Sequence, residues 1–269
     1  MAKKNRMADM TWEEFRDRVG PETVLVIPMG STELEGLFLP LGVDTIMAEG
    51  LSDRLGDEEG VLIGPALPIG YSKWFNPFPG TLSLEQDTLT RVLLEYGHCL
   101  IAHGIKRIVF LNSHRGNNAS IDDAARRLVL EKGVRVGMLN LWKLANDLVA
   151  GKDLIAEGRF THAGEIMTSM ILHLKPETVV TGKLRADSMA SPAESGFETK
   201  SSLGEAAFGE SVQYLYQDIR EMTETGIMGN PASASAEKGE AVLRLMTDYV
   251  KAYLKEFRKL PLPPGPNAL

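Results

Sequence analysis

Continuous apolar runs alternate with helix-like segments over the first 142 residues of the chain. Apolar runs of this kind are typical of strands that are buried on both faces of a parallel sheet. The runs cover residues 23–31, 61–69, 107–113 and 134–142. Apolar positions recur at helical spacing over residues 43–56, 85–103 and 118–132. The alternation predicts an α/β fold of three layers, in which a mostly parallel central sheet lies between helices.

The second half of the chain has a less regular pattern. Residues 162–174 predict a mostly buried helix, and residues 235–259 predict an amphipathic helix that ends before a proline-rich, extended tail at 260–269. Residues 186–235 are rich in Ser, Ala, Gly and Glu, which predicts loops with short helices. This irregular segment would suit a lid or a contact between subunits.

Composition places the chain among ordinary globular proteins, since 43% of its 269 residues are hydrophobic and 24% are charged. We expect one domain over 1–269, because no change of composition divides the chain. A net charge of −7 argues against nucleic acid and anionic membranes as partners. No apolar run reaches the roughly 18 residues that cross a bilayer, and none resembles a signal peptide, so we expect a cytoplasmic protein. The single cysteine, Cys99, is expected to be a small buried hydrophobe.

Sheets of the predicted kind bind ligands at the carboxyl ends of their strands. Three polar loops follow strands directly, at 29–36, 70–80 and 112–118. In the second loop, the hydroxyl of Ser72 and the turn that ends at Thr81 could bind a carbonyl or hydroxyl group of a substrate. These loops are therefore where we expect the chemistry.

Carboxylates are concentrated in an apolar part of the chain after the first strand. Glu33, Glu35 and Asp44 fall within twelve positions, among leucine and phenylalanine residues. Removing a charged carboxylate from water is costly unless the group is paired or bound to a metal. We therefore interpret Glu33 and Asp44 as ligands rather than as surface charges.

Two histidines lie near the expected site. His114 follows a strand, and the adjacent Arg115 is a candidate anion binder. His162 and Glu165 have i, i+3 spacing at the start of an expected buried helix, which would place them on one face. They could form a ligand pair or an acid–base pair, although a glutamate there could instead stabilise the helix dipole.

Taken together, four segments resemble the motifs of the creatininase (creatinine amidohydrolase) family. That family carries G-S-x-E-Q-H-G-x-H-L-P-x-x-x-D, then G-x-S with F-P-G-T, then N-G-H-G-G-N, and finally H-A-G-E-x-E-T-S. The matching segments occur in the same order over about residues 25–175. They are Gly30 to Pro40 with Asp44, Gly70 to Ser72 with Phe78 to Thr81, Asn112 to Asn117, and His162 to Ser169.

The resemblance implies an α/β fold with a mostly parallel sheet and a site for one or two divalent metal ions at the strand ends. It also implies hydrolysis of a ring or open-chain amide by a metal-activated water, and homo-oligomers that are commonly hexamers. Glu33 and His114 match ligands of one metal, Asp44 matches the carboxylate that bridges two, and Glu35 takes the position of a histidine at the second metal. Such a set, richer in carboxylates than in nitrogens, favours a hard cation and leaves Mn, Fe and Zn open.

The resemblance also implies roles for other residues of the motifs. His162 matches the proton-transfer histidine, and Glu165 is the replacement ligand in members that lack a glutamate at the position of Gly116. Trp74 and Phe75 stand where many members have Glu-His, so the substrate pocket differs from that of creatininase itself. The chain departs from the family pattern at these two aromatic positions and at Glu35, Phe38, Ser113 and Met167.

These features predict a metal-dependent hydrolase that acts on a small cyclic amide other than creatinine. His162 and Glu165 are the expected catalytic residues. One alternative is hydrolysis of a carbon–carbon bond in a cyclic polyhydroxylated diketone such as 3-dehydro-scyllo-inosose. Another is a non-catalytic descendant that binds a small ligand. The predicted metal ligands are Glu33, Glu35, Asp44, His114 and Glu165, and the predicted substrate-binding residues are Ser72, Trp74, Phe75, Thr81 and Arg115.

Overall fold

Four parallel strands form the central sheet of the computed structural model, which describes residues 5–56 and 58–265. Their order is β2–β1–β3–β4, so the two central strands are β1 and β3. The strands are β1 (Val24–Met29), β2 (Val61–Ile63), β3 (Arg107–Asn112) and β4 (Arg135–Asn140). The predicted parallel sheet is confirmed, and every residue of β1 and β3 is buried.

Successive residues of the central strands pack into two separate cores, because side chains alternate between the faces of a sheet. Val24 and Val26 join one core, and Leu25 and Ile27 join the other. Helices α2, α5, α6 and α8 cover the first face, while α3 and α4 cover the second. The three-layer arrangement expected from the sequence is therefore confirmed.

Four of the eight α-helices in the described ranges begin at a residue whose side chain caps the helix. Thr11 and Glu14 form the expected capping box at the start of the first helix. The helices are α1 (Trp12–Arg18), α2 (Val43–Asp53), α3 (Gln86–Ala102), α4 (Asn118–Lys132), α5 (Leu141–Val149), α6 (Glu165–Leu174), α7 (Ile219–Met222) and α8 (Ala236–Lys259). No helix in the described ranges is both long and apolar enough to cross a membrane.

Two predicted strands are shorter than their apolar runs. The run at 61–69 forms a strand only as far as Ile63, because Pro65 and Pro68 lack the N–H group that a sheet ladder requires. The strand predicted at 134–142 ends at Asn140. The side chain of this asparagine accepts a hydrogen bond from the backbone N–H of Lys143 and so caps α5.

Within 186–235 the structure contains a small antiparallel sheet, so the prediction of loops with short helices was wrong for part of this segment. Its strands are β5 (Phe197–Thr199), β6 (Glu205–Phe208) and β7 (Ser211–Tyr214). Strands of three or four residues are too short to produce a clear alternating pattern. A two-residue turn joins β6 to β7, and Gly209 adopts the positive φ of 58° that such turns favour.

Two further predictions concern Cys99 and the tail at 260–269. Cys99 is exposed, which corrects the prediction of a buried residue. It lies on α3 between Gly97 and Leu100, which face the core, and so it points towards solvent. Residues 261–265 of the predicted tail have no regular structure, and residues 266–269 lie outside the described residues.

Candidate active site

The candidate site lies at the carboxyl ends of β1 and β3, where the loops after the strands converge. Glu33 and Glu35 lie in the loop after β1, and Asp44 lies in the first turn of α2. His114 comes two residues after β3. Each of these four residues is at most 4% exposed, so the structure brings four of the predicted ligands together in the interior.

The first ligand group consists of Glu33, Asp44 and His114. The Nδ1 atom of His114 lies 3.3 Å from Glu33 Oε1 and 3.1 Å from Asp44 Oδ2. Asp44 is fixed by two donors, since the hydroxyl of Ser31 donates to Oδ2 at 2.8 Å and the indole N–H of Trp142 donates to Oδ1 at 2.6 Å. Neither donor was predicted from the sequence, although Ser31 lies inside the first motif; Trp142 lies in α5, outside the four motif segments.

The other nitrogen of His114 fixes the orientation of the ring. Nε2 lies 2.8 Å from the carbonyl oxygen of Tyr71 and 3.2 Å from the hydroxyl of Ser72. A proton on Nε2 can therefore be donated to the Tyr71 carbonyl, which leaves Nδ1 to face the carboxylates. Burial lowers the pKa of His114, but the neighbouring Glu33 and Asp44 outweigh this and raise it to about 9.

The second ligand group consists of Glu33, Glu35 and His162. The Nε2 atom of His162 lies 3.2 Å from Glu35 Oε2, and its Nδ1 atom lies 2.8 Å from the carbonyl oxygen of Gly226. Because Nδ1 carries the proton donated to Gly226, Nε2 has a free lone pair when the ring is neutral. Burial lowers the pKa of His162, which favours the neutral ring.

Several buried polar atoms of these two groups have no hydrogen-bond partner in the described part of the chain. They are Glu33 Oε2, Glu35 Oε1, Glu35 Oε2 and His162 Nε2. A lone pair of His162 therefore faces a carboxylate at 3.2 Å without a hydrogen bond between them. Atoms arranged in this way require a proton or a cation between them.

The pKa values of these carboxyl groups also indicate that a proton or a cation is required in the cluster. Burial raises the pKa of Glu33 to about 7, and the negative charge of Asp44 adds to the effect. Burial also raises the pKa of Glu35 well above its ordinary value, with contributions from Asp44 and Glu33. In each ligand group one donor atom per residue lies within 4.8 Å of the others. Carboxylates with an imidazole at this spacing fit a divalent metal ion.

Glu165 does not join these residues, although the sequence placed it beside His162. Ala163 has a φ of 54° and α6 begins only at Glu165, so the helix geometry assumed for an i, i+3 pair does not extend back to His162. The carboxylate of Glu165 forms an ion pair with Lys238 and accepts a hydrogen bond from the backbone N–H of Glu157 at 2.7 Å. These contacts indicate a structural ion pair at the start of the helix.

The position of Gly116 is closed to a side chain. A Cβ atom there would lie 2.2 Å from the carbonyl oxygen of Tyr71, and 2.4 Å from both His114 Nε2 and the Trp74 ring. The packing around His114 therefore leaves no room for a carboxylate side chain at position 116.

The predicted substrate-binding residues divide into two groups. Trp74, Phe75 and Arg115 line the cavity that opens above the cluster. Ser72 instead contacts His114, and the hydroxyl of Thr81 accepts a hydrogen bond from the backbone N–H of Leu34 at 3.2 Å. These two hydroxyl groups therefore support the ligand-bearing loops.

The cavity has a volume of about 230 Å³, which suits a small molecule or the end of a larger one. Its aromatic walls contact the two histidines. Trp74 stacks on His114 with ring centroids 5.6 Å apart, and Phe75 lies 5.2 Å from His162. The cavity is also lined by residues that the sequence did not predict, because they come from segments without recognised motifs. They are Arg159, Phe160, Met228 and Lys200.

The chain matches the sequence profile of the creatininase family, described as creatinine amidohydrolase, over residues 8–254. It is 31% identical over 195 residues to a creatinine amidohydrolase of Pseudomonas putida, covering 66% of this chain and 75% of that protein. It is 32% identical over 239 residues to a mycofactocin precursor peptide peptidase of Mycobacterium tuberculosis, covering 83% and 81% of the two chains.

A more distant relative is a 3-dehydro-scyllo-inosose hydrolase of Thermotoga maritima, which is 24% identical over 264 residues and covers 92% of this chain and 81% of its own. Among solved structures, one described as creatininase with Mn is similar, with a TM-score of 0.78 and 26% identity. That alignment covers 96% of this chain and 100% of the other.

Proposed function

Because this chain belongs to the creatininase family, we propose that its buried cluster binds a divalent cation and that the protein hydrolyses an amide bond in a small molecule. The observation that carries the proposal is the set of buried carboxylate oxygens without partners, which face two histidines beneath an open cavity. The relatives described above are hydrolases by name, and the similar solved structure is described as creatininase with Mn.

Glu33, Asp44 and His114 would hold the first ion, since their donor atoms converge and two of the side chains are fixed by further hydrogen bonds. Glu35 would be available to a second ion. When bound, a divalent cation supplies Lewis acidity, which polarises a carbonyl group and lowers the pKa of water. Mn, Zn or Fe would suit this donor set.

His162 would move the proton during hydrolysis. Its Nδ1 atom is held by Gly226, so Nε2 is the atom able to accept a proton from the attacking water. As the water oxygen bonds to the carbonyl carbon and the C–N bond breaks, Nε2 would pass that proton to the leaving nitrogen. The Phe75 ring, whose plane is tilted by 30° from that of the imidazole, would limit rotation of His162 during this transfer.

The cavity walls favour an amide over a polyhydroxylated diketone. Phe75, Phe160, Met167 and Met228 line the space, and side chains of this kind offer no hydrogen bonds to ring hydroxyl groups. Hydroxyl groups of a polyhydroxylated ring that face these four side chains would lose their hydrogen bonds with water without replacement. The relatives from Pseudomonas putida and Mycobacterium tuberculosis are named for action on creatinine and on a peptide, and both compounds contain amide bonds.

Elemental analysis of the purified protein, combined with a hydrolysis assay, tests the proposal. We expect about one or two transition-metal equivalents per chain, activity on a panel of lactams and acylated amines, and loss of both in Asp44→Ala. Asp122→Ala is the matched control, because Asp122 forms only a surface ion pair with Arg126. Failure to bind metal after incubation with Mn²⁺ or Zn²⁺ would instead favour the non-catalytic alternative. Activity on cyclic diketones alone would favour the alternative in which the protein hydrolyses a carbon–carbon bond.

We further propose that the protein forms homo-oligomers, as the family resemblance implies. Light scattering coupled to size-exclusion chromatography will measure the mass in solution.

The segment 186–235 contributes Lys200 and Glu205 to the cavity wall, which supports its proposed role as a lid.

A further inference from the structure

Charge is separated along the cavity, with anionic groups at its base and cationic groups towards solvent. Glu33, Glu35 and Asp44 lie at the buried base. Three cationic side chains line the same cavity and are substantially exposed, which places them at its mouth. They are Arg115, Arg159 and Lys200.

The cationic mouth is unusual for a chain whose net charge is −7. Arg159 has no ion pair or hydrogen bond within the described ranges. Arg115 lies 3.6 Å from Glu205, which is the one carboxylate that lines the outer part of the cavity. Lys200 contacts Glu198, whose side chain is 67% exposed and lies outside the cavity lining. The mouth therefore retains an excess of positive charge.

Aromatic side chains line the same cavity as the two charged groups. Trp74 and Phe75 lie beside the two histidines, and Phe160 stacks on Trp142 with ring centroids 5.1 Å apart. A ligand that fills the cavity would place a polar carbonyl at the base, an apolar group between the aromatic rings and an anionic group at the mouth. Arginine and lysine side chains bind carboxylates through charge-assisted hydrogen bonds.

We propose that the substrate is an amide that carries a carboxylate, of the kind found in an acylated amino acid, and that Arg159, Lys200 and Arg115 bind this carboxylate. The inference rests on the proposed function, because it assigns the other end of the same substrate. Arg159 contributes most, since it has no competing partner, whereas Glu205 partly neutralises Arg115.

Two ligands of nearly the same shape, one anionic and one neutral, test this assignment. N-acetylphenylalanine has a free carboxylate, and N-acetylphenylalaninamide replaces the carboxylate with a neutral amide. We expect the Mn²⁺-loaded protein to bind the carboxylate compound about tenfold more tightly in calorimetry, with a preference that falls as salt is added. In Arg159→Gln combined with Lys200→Gln, the preference should fall to within about twofold.

Two further variants separate recognition at the mouth from other effects. Arg91→Gln is the control, because Arg91 is an exposed arginine of α3 that lies outside the cavity lining. It should keep the full preference. Glu205→Gln should increase the preference, since it removes the carboxylate that competes for Arg115. A merely structural role for these residues would not produce shifts in opposite directions.

The proposal is overturned if the wild-type protein shows no preference, or if the preference survives in the double variant. Survival in that variant together with loss after metal removal would place the ligand's carboxylate at the base of the cavity. Hydrolysis is measured separately on both compounds. Cleavage without a charge preference would refute only the carboxylate assignment, whereas preferential binding with no cleavage of any amide would refute only the proposed function.

Discussion

The indole of Trp74 lies stacked on the imidazole of His114, with planes inclined by 17° and ring centroids 5.6 Å apart. At its edge, the imidazole is held through Nε2 by Tyr71 and Ser72. The ring that offers Nδ1 to the carboxylates is therefore fixed by a stacking contact as well as by hydrogen bonds. An aromatic residue from the second loop therefore supports a candidate metal ligand, His114, from the third loop.

Trp74→Leu should weaken metal binding because it removes this support. Aromatic contacts contribute about 0.5–1.5 kcal/mol, so metal affinity should fall roughly two- to tenfold. Competition with a chromogenic chelator measures the affinity. Trp12→Leu is the control, since Trp12 is 72% exposed on α1. Equal affinities in all three proteins would mean that the stacking does not hold His114.

Gly116→Ala should have a larger effect on the same histidine. The added methyl group would overlap the Tyr71 carbonyl and His114 Nε2, so the imidazole must move. We expect a loss of roughly 1–3 kcal/mol in the free energy of unfolding, with metal binding weakened at least about tenfold. Gly182→Ala is a suitable control, because a Cβ atom at Gly182 has no neighbour within 4 Å. Unchanged metal content in Gly116→Ala would contradict the packing argument.

His162→Ala separates proton transfer from metal binding. If His162 moves the proton, turnover should fall by roughly 10²- to 10⁴-fold while the metal equivalents per chain stay unchanged. Steady-state kinetics and elemental analysis of the same preparation measure both quantities. His103→Ala, at the exposed end of α3, serves as the control. Loss of metal in His162→Ala would show that this histidine is a ligand.

Glu165→Gln distinguishes a structural ion pair from a metal ligand. Gln can still accept a hydrogen bond from the N–H of Glu157 but loses the charge that pairs with Lys238. We expect a loss of roughly 1–3 kcal/mol in the free energy of unfolding and no loss of metal. Chemical denaturation and elemental analysis test the two outcomes, and loss of metal would restore Glu165 as a ligand.

The same pair gives a pH dependence with a defined sign. Burial opposes ionisation of Glu165, but contacts with Lys238 and with the backbone outweigh it and lower the pKa of the carboxyl group. The stabilisation is therefore complete above the ordinary glutamate pKa and is lost as pH falls through the lowered value. The difference in unfolding free energy between wild type and Glu165→Gln should shrink below about pH 4.5. A difference that grows on acidification would contradict this assignment.

The sequence by itself determined the layer architecture and most of the candidate metal site. Apolar runs that alternate with helical patterns have one efficient way to bury their surfaces, so the parallel sheet was predictable. Because parallel strands end at the same edge, Glu33, Asp44 and His114 could be placed together from their positions after strands, and the family resemblance added Glu35. The structure brings these four side chains into one buried cluster.

Only the tertiary structure decided which way other side chains face and what surrounds them. Glu165 has the expected spacing from His162, but the backbone turn at Ala163 directs it to Lys238, and local periodicity does not record such a turn. The donors from Trp142 and the cations Arg159 and Lys200 reach the site from segments far apart in the chain. Side-chain spacing within one element follows from backbone geometry, whereas contacts between elements depend on packing that no short stretch of sequence specifies.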